Sequence, residues 1–304
     1  MPTIQYLTYG QIDKKKWDAC IHTAENGLIY GYSYYLDAMA KQWHALVLDD
    51  YEMVMPLTWN KKFGIYYLYQ PAFTASLGIF GKSVTAASVE DFLHSIPKKF
   101  SYWDIYLNYR NFFQLPGFNL YDRVNYILPL NDSYDNLYNR YNDNCKRNIK
   151  KSEVSKNLIQ KDIDVAGVIA LAKAQLQHFR SPAHRDFEQF GKLYAHLYEK
   201  EKATTYGIYA ETGQLIASAV FFFSHNRAYY ILVGNHPNGK ISGASHALIN
   251  AFIRDHAGQN MILDFEGSDI SNLAFFYKGF GAGEEKFSAI KLNRLPFYLR
   301  WMKG

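Results

Sequence analysis

The stretch ILDFEGSDISNLAFFYKGFGAG, residues 262 to 283, changes its hydrophobic spacing partway along. Ile262, Leu263 and Phe265 stand among few polar residues and predict a strand. Glu266-Gly267-Ser268-Asp269 predicts a turn. A short helix follows, with Asp269 or Ser271 placed to accept its free amide hydrogens. Leu273, Phe276 and Tyr277 recur at i, i+3 and i+4 on one helical face, and Gly279 with Phe280-Gly281 supplies the stop. A strand thus delivers Asp264 and Glu266 to a turn, and a helix carrying Tyr277 and Lys278 leaves it. Sites of α/β folds are commonly built at such junctions.

Upstream, residues 206–237 read as three strands (207–210, 214–223, 228–233) joined by tight turns, then a loop ending in His236-Pro237. Residues 45–71 repeat that order, with strands at 45–48, 52–57 and 65–69 and turns at Asp49-Asp50 and Asn60-Lys61-Lys62. Tyr66-Tyr67-Leu68 answers Tyr229-Tyr230-Ile231, so the two meanders read as a weak internal duplication. The rest of the chain adds strands at 3–8 and 102–108 and helices at 11–20, 32–42 (with Ser33 as cap), 85–97, 165–180, 186–201 and 245–255. Residues 134–151 are helical in pattern and basic toward their end. His178, Arg180, His184 and Arg185 cluster at a break between two helices and read as a polar loop in preference to an acceptor-side lid. The fold class expected is mixed α/β, in two successive units.

Composition narrows the function classes. The 304 residues allow one large domain or two ordinary ones. With 48% hydrophobic and 20% charged residues, the chain can build a substantial core. A net charge of +5 tolerates an anionic partner but is too small for a dedicated nucleic-acid binder. Cys20 and Cys145 lie far apart and form no metal-ligand cluster, which argues against zinc and fits a reduced cytoplasmic setting. The N-terminus lacks the apolar core of a secretion signal, and no segment approaches the roughly 18 apolar residues of a membrane span.

Two runs carry a family resemblance. Asp264-Phe265-Glu266-Gly267-Ser268 followed by Lys278-Gly279-Phe280-Gly281 is similar to the C-terminal signature of the Fem-type transferases. Asn144-Cys145-Lys146-Arg147-Asn148-Ile149-Lys150-Lys151 resembles a basic run of the same family. Fem-type enzymes are relatives of GNAT acyltransferases and use aminoacyl-tRNA to extend peptidoglycan precursors. The resemblance implies tandem GNAT-like (acyl-CoA N-acyltransferase-like) domains, here 1–125 and 126–304, the second carrying the acyl-transfer site. The long coiled-coil arm of the larger Fem enzymes has no counterpart, since no sustained heptads occur.

Acyl transfer to an amine needs a base, an oxyanion stabiliser and a proton for the leaving group. Lys278 is the candidate for the oxyanion or leaving group, Glu266 (or Asp264) for the base and Tyr277 for the proton donor. Each has a plainer reading: a helix-end lysine, a turn carboxylate, a core ring. The loop before residue 245 resembles a degenerate GNAT pyrophosphate loop, which makes Asn235, Lys240, Gly243, Ala244 and Ser245 the donor-binding candidates. Arg147 and Lys146 are the acceptor-binding candidates, joined by placement by Lys61 and Gln70. The expected activity is N-acyl or aminoacyl transfer to a small-molecule or peptide amine. The donor is acyl-CoA, such as acetyl-CoA, or aminoacyl-tRNA; no metal or other cofactor is required, and a lipid-linked precursor would be met peripherally. The rival expectations are a non-catalytic ligand-binding protein on the same fold and, less favoured, a general RNA-binding protein.

Overall fold

The structure is a computed structural model that describes residues 3–176, 182–267 and 269–295. Ser268 of the expected turn, His178 and Arg180 of the expected polar cluster, and residues 177–180 of the expected helix lie outside the described residues. The chain divides into two compact units. One holds the residues through Arg123 together with those from Lys286 onward, and the other holds Val124–Glu285.

The first unit opens with β1 (Ile4–Leu7), α1 (Lys14–Thr23) and α2 (Ser33–Met39). A meander follows: β2 (Gln42–Leu48), β3 (Met53–Lys62) and β4 (Ile65–Tyr69). Then come the two-residue β5 (Phe80–Gly81), α3 (Ala86–His94) and β6 (Phe100–Tyr106). β1 to β4 pair antiparallel in sequence order, while β4 pairs parallel with β6, which requires the crossover that α3 provides. Val89, Phe92 and Leu93 of α3 bury against Leu46, Leu57, Leu68, Phe100 and Trp103 of the sheet.

β7 (Leu120–Pro129) carries the chain into the second unit. There follow α4 (Tyr134–Asn139), α5 (Asp143–Val154), β8 (Leu158–Lys161), α6 (Val165–Leu176) and α7 (His184–Tyr198). A second meander comes next: β9 (Ala203–Tyr209), β10 (Leu215–Ser224) and β11 (Arg227–Asn235). After it come α8 (Pro237–Ser242), α9 (Ala244–His256), β12 (Ile262–Asp264), α10 (Ser271–Lys278) and β13 (Gly283–Asn293). β8 to β11 pair antiparallel, and β11 pairs parallel with β12 across α9. Phe252 of α9 stacks on Phe221 of β10 with centroids 3.8 Å apart, so this helix is anchored to the sheet by a ring pair.

The order strand, two helices, three-stranded meander, helix, parallel strand therefore occurs twice: β1-α1-α2-β2-β3-β4-α3-β6 and β8-α6-α7-β9-β10-β11-α9-β12. The duplication read from the meanders extends well beyond them on both sides.

Several local expectations change. Residues 134–151 form two helices: α4 ends at Asn139 with Arg140 as its C-cap, and Asn142 caps α5, its side chain accepting from Cys145 N at 2.8 Å. β3 continues through Lys61 and Lys62, and the turn falls at Phe63 and Gly64, both with positive φ. Ser33 starts α2 but does not cap it; its amide and hydroxyl both donate to Asp18 of α1, at 2.7 Å each. At α10 the capping position is Ile270, and Asp269 Oδ1 instead accepts from Val124 N at 3.4 Å. Residues from Lys286 onward, which the sequence reading put in the second unit, join the first. Ala289–Asn293 of β13 pairs antiparallel with β6 there.

Candidate active site

β12 makes ladder contacts with only the first three residues of β11, Arg227 to Tyr229. β11 then runs on through Asn235, while β12 ends at Asp264. β11 also carries an extra residue, Ile231, where the register against Val220 and Phe221 shifts. Such bulges interrupt the ladder and leave a backbone group unpaired.

The turn after β12 is held by a buried network. Asp264 is buried and accepts from Arg227 Nη1 at 2.6 Å, from Asn125 Nδ2 at 2.8 Å and from Glu266 N at 2.9 Å. Arg227, 6% exposed, also grips Glu285 through Nη2 at 2.5 Å and Nη1 at 2.9 Å. Burial works against the guanidinium charge, but Asp264 and Glu285 outweigh it and hold the pKa above the ordinary arginine value. Asp264 is thus committed to this network. Its amide acceptor bond to Glu266 fixes that residue at φ +63, in the left-handed region.

Glu266 is half-buried and its charge reaches Tyr277. Tyr277 lies 7% exposed, stacked on Phe265 at 4.5 Å and tilted against Tyr126 at 6.1 Å. Burial, with Glu266 added, pushes its phenol well above the usual tyrosine value. Lys278 ends α10 in the open, its side chain 53% exposed, with Nζ 2.7 Å from Glu284 and 5.5 Å from the Tyr126 ring centroid. The hydrogen bond to Glu284 and its charge raise the ammonium pKa.

Two further helix ends meet α10. Asn142 N, at the start of α5, donates to Gly279 O at 3.0 Å. His246, in the first turn of α9, packs its ring on Phe276 at 4.6 Å and Phe280 at 5.8 Å. Burial lowers the His246 pKa to about 4, so the ring is neutral near pH 7. The second unit therefore gathers the start of α5, the first turn of α9 and the end of α10.

The donor candidates run from the end of β11 (Asn235) through α8 (Lys240) to the start of α9 (Gly243, Ala244 and Ser245), in a form the sequence did not indicate. Residues 237–242 are the helix α8, and Gly243 joins it to α9 at φ +74. A Cβ on Gly243 would stand 2.1 Å from the Asn148 carbonyl oxygen of α5, so packing alone demands glycine. Ser245 Oγ donates to Asn235 Oδ1 at 2.6 Å, Ala244 is buried and Lys240 is exposed. Arg147 is exposed and donates to Asn144 Oδ1 at 2.9 Å; Lys146 Nζ donates to Asn139 O at 3.3 Å. Lys61 and Gln70 belong to the first unit. Lys61 Nζ lies 4.7 Å over the Tyr66 ring, and Gln70 bridges Thr74 O (2.8 Å) and Tyr106 N (3.1 Å).

Arg227, Glu284 and Glu285 were missed from the sequence. Arg227 finds its partners 37 and 58 residues away, and such pairings leave no local pattern. The glutamate pair did carry a signal. Alternation along β13 sends Glu284 to Lys278 and Glu285 to Arg227, and two acids opening a strand just after the glycine stop mark that split. Among the described residues no three His, Cys, Asp or Glu side chains form a metal site, and no helix is long and apolar enough to cross a membrane.

No protein-family model matches the chain, and no curated protein matches it. Solved structures do. L-PGS from Bacillus licheniformis is similar at TM-score 0.50 and 9% identity, over 86% of this chain and 87% of that one. A protein of unknown function from Bacteroides thetaiotaomicron VPI-5482 is similar at 0.59 and 13%, over 96% and 100%. FemX is similar at 0.64 and 13%, over 98% and 99%. At these identities the likeness is one of fold: the chain is a mixed α/β protein whose fold is similar to that of FemX over nearly its whole length.

Proposed function

We propose that the chain is a Fem-like N-acyltransferase that moves an acyl or aminoacyl group from an activated donor to an amine. The observation that carries this is the exposed Lys278 ammonium at the end of α10, beside the starts of α5 and α9, in a chain that shares the FemX fold over nearly its whole length.

In this reading Lys278 stabilises the oxyanion of the tetrahedral intermediate or the departing atom. Glu266, held by Asp264, accepts the proton of the attacking amine. Tyr277 keeps its proton at neutral pH and serves as a hydrogen-bond donor at most. The end of β11 takes the donor, with the first turn of α9 and Asn235, Lys240, Gly243, Ala244 and Ser245 beside its phosphate. Arg147 and Lys146 engage an anionic group of the acceptor. The donor is acyl-CoA or aminoacyl-tRNA, and the acceptor a small or peptide amine, such as that of a cell-wall precursor, handled in the cytoplasm. The chemistry requires no metal or redox group.

The test supplies acetyl-CoA and charged tRNA in turn, with a peptidoglycan-precursor amine, and follows transfer of label. Transfer from one donor, reduced about 100-fold or more in kcat by Lys278→Ala with folding intact, is the expected result. Turnover indifferent to both Lys278→Ala and Glu266→Ala would sink it.

A second reading, a non-catalytic ligand-binding protein, draws on the structural commitments of Gly243, Asp264 and Tyr277. It requires a ligand that binds the second unit with no transfer from either donor.

A further inference from the structure

We propose that the outer face of α5, continued by β8, is a docking surface for an anionic lipid bilayer. α5 buries Cys145, Ile149 and Ser152. Its opposite face presents Arg147, Lys150, Lys151 and Val154, at i, i+3, i+4 and i+7, all exposed. Val154 is 76% exposed, and in β8 Leu158 is 59% and Ile159 44% exposed. β8 pairs only with β9 among the described residues, so its other edge is open.

The charge is concentrated there. Residues 146–161 hold six Lys or Arg against one Glu, a net +5, which equals the net charge of the whole chain. The basic excess of the protein therefore resides in this one segment, and the rest is balanced. Lys156 has a surface partner in Glu211 at 3.3 Å, whereas Lys150 and Lys151 have no carboxylate partner among the described residues.

Cations interleaved with protruding aliphatic side chains suit a headgroup layer. Ammonium groups reach lipid phosphates while Val154 and Leu158 enter the acyl boundary; Ile159, next to Leu158 in β8, points to the other face of the strand. A single-stranded nucleic acid is served less well, because residues 146–161 offer no aromatic ring for a base to stack on. Five of the six cations are lysines, point charges fit for a diffuse anionic layer. This inference stands without the acyltransferase reading, since its evidence is exposure and charge alone.

The test is co-sedimentation of the full chain with vesicles of phosphatidylcholine alone and of phosphatidylcholine mixed with phosphatidylglycerol. Binding to the mixed vesicles only, weakening as salt is raised, is expected. Each basic residue near such a surface contributes about fivefold, so Lys150→Glu with Lys151→Glu should lower partitioning at least about 25-fold. Val154→Ser, which leaves the charge unchanged, should weaken vesicle binding severalfold and leave retention on heparin unchanged. All substituted positions are exposed, and circular dichroism checks that each variant folds. The folded chain ignoring the mixed vesicles would overturn the proposal. So would vesicle binding that Val154→Ser and Leu158→Ser leave intact, because that pattern describes a generic polyanion site.

Discussion

Gly243 separates two readings that the sequence alone left merged, a phosphate loop and a packing requirement. Its φ of +74 strains any other residue, and the Asn148 carbonyl leaves no room for a Cβ. Gly213 has a similar φ of +80 but open space around it. Gly213→Ala should thus cost only the backbone strain, about 1 kcal/mol. Gly243→Ala should cost about 3 kcal/mol or more, because α5 must also shift. Thermal melts of the two variants compare strain with and without the clash; equal losses would mean that α5 yields freely. His246 supplies a pH prediction at the same scale. Its folded pKa of about 4 lies below the ordinary histidine value of 6.5, so the unfolded chain binds more protons between those limits. Stability therefore falls as pH drops from 6.5 toward 4. His246→Phe removes this contribution, and its stability should decline less steeply than that of the parent over that window. Parallel slopes would show that the ring is reached by water and protonates normally.

At the level of elements, the ends of β7, β11, β12 and β13 are tied by Asn125, Arg227, Asp264 and Glu285 within the second unit. Removing one partner of a buried ion pair strands the others, at a typical cost of about 3–5 kcal/mol. Arg227→Met should lower the unfolding free energy obtained from urea melts by that amount, and adding Asp264→Asn should recover part of it by discarding one stranded charge. A loss under about 1 kcal/mol would place the cluster among ordinary surface pairs. Nothing in the sequence announced this clamp, because ion pairs across strands have no period. The meanders were legible for the opposite reason: apolar alternation and the turns at Gly213 and His225-Asn226 are local signals, and the positive φ values at those three positions are where the turns fall. α8 escaped because Asn238-Gly239 reads as a turn pair. Pro237 at the first helical position and the His236 side chain accepting from Asn238 N at 3.2 Å make a short helix of it. The β12–α10 junction was legible in outline, since its period change is local, but Glu266's posture depends on Asp264 and through it on Arg227.

For the whole molecule, the decisive feature is that the chain leaves the first unit at Arg123 and comes back to it at Lys286. A cut after Glu285 keeps both glutamates that serve Lys278 and Arg227 but deletes the β13 residues that pair with β6. Phe287, Ala289 and Ile290 are buried, and Ile290 belongs to the core formed with α3. Burying a side chain the size of Ile290 or Phe287 contributes about 1.5–3 kcal/mol each, a large share of the margin of a domain this small. β6, with Trp103 and Ile105 on it, would become an exposed edge. Hydrogen exchange read by mass spectrometry should therefore show protection lost over β2 to β6 in the shortened chain, while β9 to β12 keep most of theirs. Equal loss in both would mean that the two units fold as one cooperative block. Unchanged protection in β6 would mean that the returning strand contributes little and that the first unit is complete by Arg123. The first of these three outcomes is expected, because β13 adds core side chains to the first unit, whereas the second keeps every member of the Arg227 cluster upstream of the cut.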